Sequence, residues 1–205
     1  MAQIDYFFTP LSPYTYLAGT RLEQIAAQSG ADITYRPILL AKVFEATGGV
    51  ALPQRHESRQ AYRFQDLARS AAMEGLAINL RPAHFPTNPV PASCAIIAAQ
   101  DAGGGNLGAL CHSLCRAVWA EERDISQDEV IAACLTAAGF DAALATSGML
   151  SGVDVLERNT QDAIKAGVFG SPSYVAIRYF GAMTGWHIWP RIWAEGTTRT
   201  TPSRA

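Results

Sequence analysis

The chain of 205 residues is 49% hydrophobic and 17% charged, a composition typical of one globular domain that excludes a wholly disordered protein. Sixteen basic against eighteen acidic side chains give a net charge of −2, and the absence of a basic run argues against nucleic-acid binding. The sequence has no apolar stretch of the roughly 20 residues that a membrane helix needs, and its N-terminus lacks the basic start of a signal peptide. We therefore expect a cytoplasmic protein that contacts neither nucleic acid nor membrane and keeps its four cysteines reduced.

The first forty residues predict a β–α–β unit. Residues 4–8 are β-branched or aromatic and indicate a buried strand, and residues 33–38 indicate a second one. Between them, Ser12 and Pro13 are typical of a helix N-cap and of the first helical position, and apolar residues at helical spacing continue this helix to Gly30. Parallel pairing is the default for two strands connected in this way.

The middle of the chain is predicted to be helical. We expect a helix over 56–75, an ordered loop with four prolines over 81–91, and several helices over 92–165. One of these should begin with a capping box, in which the Ser126 hydroxyl accepts from the amide of Glu129.

A last helix and a strand complete the pattern. The final helix of the series is expected over 153–166, and residues 173–177, introduced by Pro172, indicate a strand. The whole is therefore an α/β unit that is split by a helical insertion.

Two further motifs favour structure over chemistry. Residues 103–108 match G-x-G-x-x-G, but they follow a predicted helix rather than a strand, so we interpret them as a turn between helices. Cys111 and Cys115 share one helical face, but no second pair of ligands occurs at zinc-like spacing. We therefore expect packed thiols and no metal site.

Ser12 is the strongest candidate for chemistry. A hydroxyl and free amides at the first turn of a helix stabilise an anion, and a thiolate is a suitable one. Ordinary N-capping is the alternative. Ser171 and Pro172 raise the case for chemistry, because a proline at a strand entry is a candidate cis-proline that frees the Ser171 backbone for a peptide ligand. In thioredoxin-like folds this proline loop faces the first helix.

Five segments resemble, in the same order, segments of the 2-hydroxychromene-2-carboxylate isomerases and the kappa-class glutathione transferases. They are 5–18 (DYFFTPLSPYTYLA), 36–44 (RPILLAKVF), 84–89 (HFPTNP), 117–126 (AVW and DIS at its two ends) and 167–172 (GVFGSP). Each segment is a weak signal alone, but their common order is specific.

The resemblance implies an α/β, thioredoxin-like fold with a large helical insertion, related to the disulfide oxidoreductase DsbA. It implies a single DsbA-like domain over 1–205, with the thioredoxin part at about 1–50 and 167–205 and the insertion at about 55–166. Those oxidoreductases carry Cys-x-x-Cys at the helix start, where residues 12–15 of this chain (SPYT) contain no sulfur. Dithiol redox chemistry is therefore excluded at this position.

The activity implied by the resemblance is a glutathione-dependent isomerisation in aromatic degradation. It interconverts 2-hydroxychromene-2-carboxylate, a small aromatic substrate, and trans-o-hydroxybenzylidenepyruvate. Ser12 would hold the glutathione sulfur, the Ser171 backbone beside Pro172 would pair with the peptide, and Lys42 and Asn88 would line the pocket. For Lys42 an exposed helix charge is the alternative. We also expect a homodimer. A kappa-like glutathione transferase and a non-catalytic remnant that cannot hold glutathione are the other hypotheses.

The chain departs from the family pattern in three places. Thr9 and Pro10 stand where an aspartate and a phenylalanine are usual, and Gly49 stands where kappa-class enzymes have an asparagine that contacts glutathione. From about residue 176 the family's Phe-Trp-Gly-x-Asp-Arg-Leu motif and the amphipathic helix after it are missing, and we expect residues 176–205 to pack poorly. Codons shifted by one base permit that motif at the same place. We therefore infer a one-base frame difference near residue 176, in the gene or in its record.

Overall fold

The computed structural model describes residues 2–176 and the backbone of residues 179 and 180. Its strands are β1 (Gln3–Phe8), β2 (Asp32–Pro37), β3 (Ser173–Val175) and β4 (Tyr179–Phe180). Its helices are α1 (Pro13–Ala18), α2 (Arg21–Ser29), α3 (Leu40–Thr47), α4 (Glu57–Glu74), α5 (Val90–Ala102), α6 (Leu107–Trp119), α7 (Asp128–Ala137) and α8 (Leu144–Lys165). Poor packing and a frame difference were predicted for the C-terminal segment. From residue 177 on, this segment lies outside the described residues, apart from the backbone of residues 179 and 180.

The four strands form one mixed sheet in the order β2-β1-β3-β4. Strand β1 pairs in parallel with β2, as the β–α–β pattern predicts, and antiparallel with β3, which pairs antiparallel with β4. Helices α3 to α8 all lie in the chain between β2 and β3. This arrangement confirms the thioredoxin-like α/β fold with a helical insertion.

The core covers both faces of β1, because successive side chains of a strand point to opposite sides. Ile4, Tyr6 and Phe8 join the main cluster, in which the Tyr6 ring stacks on that of Phe8 with centroids 4.3 Å apart. Phe7 points the other way, into a smaller cluster with Ile38, Val43, Ala163 and Val168. The sheet is therefore held between helices on both sides, and the ends of its strands are left to build a site.

The helix predicted from Ser12 to Gly30 is in fact two helices. Gly19 ends α1 at φ +58° and ψ −136°, a conformation that side-chain-bearing residues avoid, and its amide donates to the Tyr16 carbonyl. Helix α2 begins at Arg21. The apolar periodicity continues across this break, which is why the sequence pattern did not reveal it.

Two predictions about the insertion were wrong. Helix α7 begins after Ser126, whose amide donates to the Asp124 carboxylate at 3.0 Å, so the capping box does not form. The helix expected over 153–166 begins earlier, at Leu144. At α7 the turn around Asp124 moves the helix start past the residue that the local motif favours.

The predicted turn between helices and the predicted packing of the thiols are confirmed. Residues 103–106 form the turn between α5 and α6, and all four cysteines of the chain are free and buried. Within residues 2–176 no group of three or more His, Cys, Asp or Glu side chains is placed to share a metal ion. None of the described helices is both long enough and apolar enough to cross a membrane.

Candidate functional site

A cavity of about 850 Å³ opens beside the N-terminus of α1, between α3, α4 and the loops that lead into α5 and β3. Most of its described wall is apolar. The apolar lining residues are Leu11, Pro13, Leu39, Leu40, Ala41, Phe44, Leu52, Phe85, Pro89, Val90 and Phe169. The polar side chains of the wall are Thr9, Ser12, Tyr14, Arg55, Arg63, Asp66, Ser70 and Ser171. A largely apolar cavity of this size with polar side chains in its wall is typical of a small-molecule site.

Ser12 lies on this wall as the N-cap of α1. Its backbone is extended, with φ −83° and ψ 127°, and its Oγ accepts from the amide of Thr15 at 3.3 Å. The same Oγ donates to the Ser171 carbonyl at 3.0 Å. Ser12 is thus both the helix cap and a cavity residue, and only 6% of it is exposed.

The loop before β3 meets α1 at this point. The Ser171–Pro172 peptide is cis, which confirms the prediction from sequence. The Ser171 Oγ accepts from the amide of Thr9 at 2.9 Å and lies 3.0 Å from the Oγ1 of Thr15. Together with the bond from Ser12 to the Ser171 carbonyl, these contacts tie the proline loop to the β1–α1 turn.

Lys42, which the sequence placed in the pocket, lies outside the cavity wall. Its Nζ donates to the Glu157 carboxylate of α8 at 2.6 Å, and both side chains are about half exposed. The cavity face of α3 carries Leu40, Ala41 and Phe44 instead. Because each residue turns a helix by about 100°, Lys42 projects from a different side. The alternative of an exposed helix charge describes Lys42 in this structure.

Asn88 also lies off the wall. It is exposed, and its Oδ1 accepts from the amide of Val90 at 3.1 Å, so its side chain is used in the turn that begins α5. The neighbouring residues Pro89 and Val90 do line the cavity. Asn88 therefore lies next to the cavity without contributing a described polar group to it.

The surroundings of Gly49 explain why this chain has no asparagine at that position. A Cβ at this position would lie 2.4 Å from Cδ1 of the Phe44 ring, far inside contact distance. Phe44 belongs to the cavity wall. An asparagine at position 49 would therefore require that ring to move, and the polar contact expected there is replaced by apolar packing.

Tyr14 and Asp66 form a polar pair on the wall that sequence reasoning missed. The Tyr14 hydroxyl donates to Oδ2 of Asp66 at 3.1 Å. Burial, with the nearby Asp66 carboxylate, raises the pKa of Tyr14 to about 12. The hydroxyl therefore stays protonated at neutral pH and acts as a hydrogen-bond donor.

Two arginines of the wall were also missed. The Arg55 Nε donates to the Val50 carbonyl at 2.8 Å, and its guanidinium lies 6.0 Å from the centroid of the Phe44 ring. Arg63 projects from α4, is 8% exposed, and has its pKa lowered by burial. The available signal was the spacing of Arg63, Asp66 and Ser70, three and then four residues apart on one face of a helix.

Comparison with known proteins shows which family the chain belongs to. Residues 3–198 match the model of the DSBA-like thioredoxin domain. The chain belongs to this family. It is 30% identical over 174 residues to the 2-hydroxychromene-2-carboxylate isomerase of Pseudomonas putida, with 83% of each chain covered. It is 26% identical to that of Sphingobium xenophagum, with 82% of this chain and 86% of the relative covered.

A solved structure agrees with the sequence matches. A 2-hydroxychromene-2-carboxylate isomerase superposes with a TM-score of 0.76 at 24% identity, over 94% of this chain and 95% of that one. This DSBA-like domain is therefore a distant homologue of those isomerases. Its α1 start has Ser12 and no sulfur, and none of its four buried cysteines lines the cavity. The described site thus lacks the thiol pair that disulfide exchange requires.

Proposed function

We propose that the protein is a glutathione-dependent isomerase that interconverts 2-hydroxychromene-2-carboxylate and trans-o-hydroxybenzylidenepyruvate. The observation that carries the proposal is the Ser12 hydroxyl, which lies on the cavity wall 3.0 Å from the carbonyl that precedes cis-Pro172. The choice of reaction is supported by the 26–30% identity to two such isomerases.

Ser12 would hold the glutathione sulfur. A serine hydroxyl has one proton to give and two lone pairs, and the Thr15 amide already occupies one of the lone pairs. The proton that now goes to the Ser171 carbonyl is therefore the one that would turn to the sulfur. A charge-assisted hydrogen bond of this kind stabilises a thiolate over a thiol and so lowers the thiol pKa.

Glutathione held by Ser12 would supply the thiolate that adds to the conjugated carbon of the substrate and leaves again after rotation about the temporary single bond. The chain's own groups fit the peptide. Arg55 carries a charge opposite to that of a glutathione carboxylate. Release of the Ser171 carbonyl by Ser12 would free an acceptor for a peptide N–H.

The test is an assay of the purified protein with 2-hydroxychromene-2-carboxylate, followed by the absorbance of the open-chain product. We expect product formation that saturates with glutathione and is at background without it. Calorimetric titration with glutathione alone separates the alternatives. A protein that binds no glutathione is a non-catalytic remnant, whereas one that binds it and conjugates other electrophiles but does not isomerise is a kappa-like transferase.

The expected homodimer remains a prediction, and sedimentation equilibrium measures it directly. The expected cytoplasmic location is also a prediction, and fractionation of the source cells tests it.

A further inference from the structure

Arg63 places a positive charge in the cavity wall at a site that is almost closed to solvent. It lies in the second turn of α4 and is 8% exposed. Its guanidinium carbon lies 5.8 Å from the centroid of the Trp119 ring and 6.0 Å from that of Phe85. These aromatic faces fix the side chain and favour the charged form, as cation–π contacts do.

The described charges around Arg63 do not neutralise it. No ion pair with a carboxylate is formed by Arg63 within residues 2–176. Asp66, three residues further along α4, accepts from the Tyr14 hydroxyl and forms no ion pair with Arg63. Arg55 adds a second positive charge to the same wall and disfavours the charge on Arg63. A buried guanidinium is costly unless an anion meets it, so this part of the cavity is suited to an anionic ligand.

The two cationic side chains of the cavity wall have different surroundings. Arg55 lies against the Phe44 ring of α3, and Arg63 lies beside the rings of Phe85 and Trp119. The guanidinium of Arg63 presents a planar fork that matches a carboxylate, and the Phe85 ring beside it also lines the cavity. An acid whose carboxylate is conjugated to a flat aromatic system would satisfy both features at once.

We infer that Arg63 is the carboxylate anchor for the electrophilic substrate and restricts the site to planar, conjugated aromatic acids. The inference deepens the proposed function and rests on it, because it names what the second ligand beside glutathione must carry. Arg63 is thereby a substrate-binding residue, whereas Ser12 and Arg55 serve the peptide.

Binding of trans-cinnamate and of its uncharged amide, trans-cinnamamide, tests this directly in the absence of glutathione. The two probes share shape and conjugation and differ in the carboxylate. We expect calorimetry to show cinnamate binding that weakens about ten- to a hundredfold in Arg63→Met, the loss typical of a hydrogen-bonded ion pair. Arg63→Lys should restore part of it, and cinnamamide should bind wild type and Arg63→Met equally weakly.

Arg69→Met is the matched control. Arg69 is an exposed arginine of the same helix that bonds to Gln65 and does not line the cavity, so its loss removes the same charge from another face. We expect cinnamate to bind Arg69→Met as it binds wild type. Far-UV circular dichroism and thermal melts of all variants check that each one folds.

The inference is overturned if cinnamate fails to bind wild type, if it binds Arg63→Met as tightly as wild type, or if cinnamamide matches cinnamate on wild type. It is also overturned if Arg63→Met loses glutathione affinity to the same extent, since Arg63 would then serve the peptide. Loss of cinnamate affinity with glutathione affinity unchanged supports it. A wild-type protein that binds cinnamate through Arg63 but no glutathione refutes the proposed function alone.

Discussion

The hydroxyl of Ser12 caps α1 and, in the proposed function, would also donate to the glutathione sulfur, so a single substitution removes both contacts. We expect Ser12→Ala to fold and to lose roughly ten- to a hundredfold of the glutathione-dependent rate, since one charge-assisted hydrogen bond contributes ~1.5–3 kcal/mol. The rate is measured at saturating glutathione, so that the loss reports the sulfur contact.

Asn106→Ala provides the control for the cap. Asn106 caps α6 by accepting from the amide of Ala109 at 2.9 Å, and it does not line the cavity. We expect the Asn106→Ala variant to be less stable by about 1 kcal/mol, the usual cost of a lost N-cap, and to keep the full rate. Full activity in Ser12→Ala would remove Ser12 from the mechanism.

Ser171 presents the opposite case, a serine whose hydroxyl is structural. Its Oγ accepts from the buried Thr9 amide at 2.9 Å and bonds with Thr15 Oγ1. In Ser171→Ala that amide loses its acceptor inside the protein, and we expect the free energy of unfolding to fall by ~1–3 kcal/mol. Urea denaturation measures the change. Ser147→Ala, which removes an exposed bond to the Ala143 carbonyl, should change it by less than about 0.5 kcal/mol. Equal shifts in the two variants would contradict this assignment.

At the scale of elements, α5 and α8 approach closely because α8 carries glycines where they meet. A Cβ on Gly152 would lie 2.9 Å from Cα and 2.7 Å from Cβ of Cys94, and one on Gly148 would lie 3.1 Å from the Cys94 carbonyl oxygen. Backbone atoms of a packed helix cannot give way without moving the whole helix. This contact fixes the position of α5, whose first residue Val90 lines the cavity.

Gly152→Ala should therefore destabilise the protein although alanine is the better helix former. The gain in helix propensity is about 0.5–1 kcal/mol, and overpacking costs about 1–3 kcal/mol, so the clash is expected to prevail. Thermal and urea unfolding measure the balance. Ser151→Ala, at the exposed neighbouring position of the same helix, gives the propensity effect without the clash. An increase in stability for Gly152→Ala would show that the helices separate easily.

How well the sequence predicts an element depends on where the decisive contact lies. The start of α1 is local, since Ser12 and Pro13 suffice to define it. The break at Gly19 is hidden because the apolar spacing continues through it. The start of α7 was mispredicted because Asp124, and not Ser126, bonds the neighbouring backbone. The cap at Ser12 was thus predictable because no neighbouring group among the described residues competes with it. The start of α7 was not, because Asp124 and Ser126 are both able to bond the backbone there.

At the scale of the whole molecule, some residues of the site follow from local sequence signals and others depend on how distant elements pack. Ser12 and cis-Pro172 follow from local chemistry and from the order of the segments that resemble the isomerases. Arg63 and Asp66 become cavity residues only because α4 packs beside α1. Their spacing places them on one face of α4 but does not show that this face meets the cavity. Lys42 lies off the described cavity wall for the same reason, since the orientation of α3 about its own axis relative to the cavity is a tertiary property.

The last prediction concerns the C-terminal sequence, where the codons themselves carry information. Met183 has a single codon, so its final G followed by the first two bases of any Thr184 codon gives GAC, an aspartate codon, in the shifted frame. Neighbouring codons permit the rest of Phe-Trp-Gly-x-Asp-Arg-Leu, and that aspartate would meet the glutathione ammonium, whereas the given frame has no aspartate after Asp162. We expect the intact mass of the natural protein to differ from that of these 205 residues, and the shifted-frame protein to bind glutathione more tightly by calorimetry. A mass equal to that of the given sequence, with equal glutathione affinity for the two proteins, would refute the frame difference.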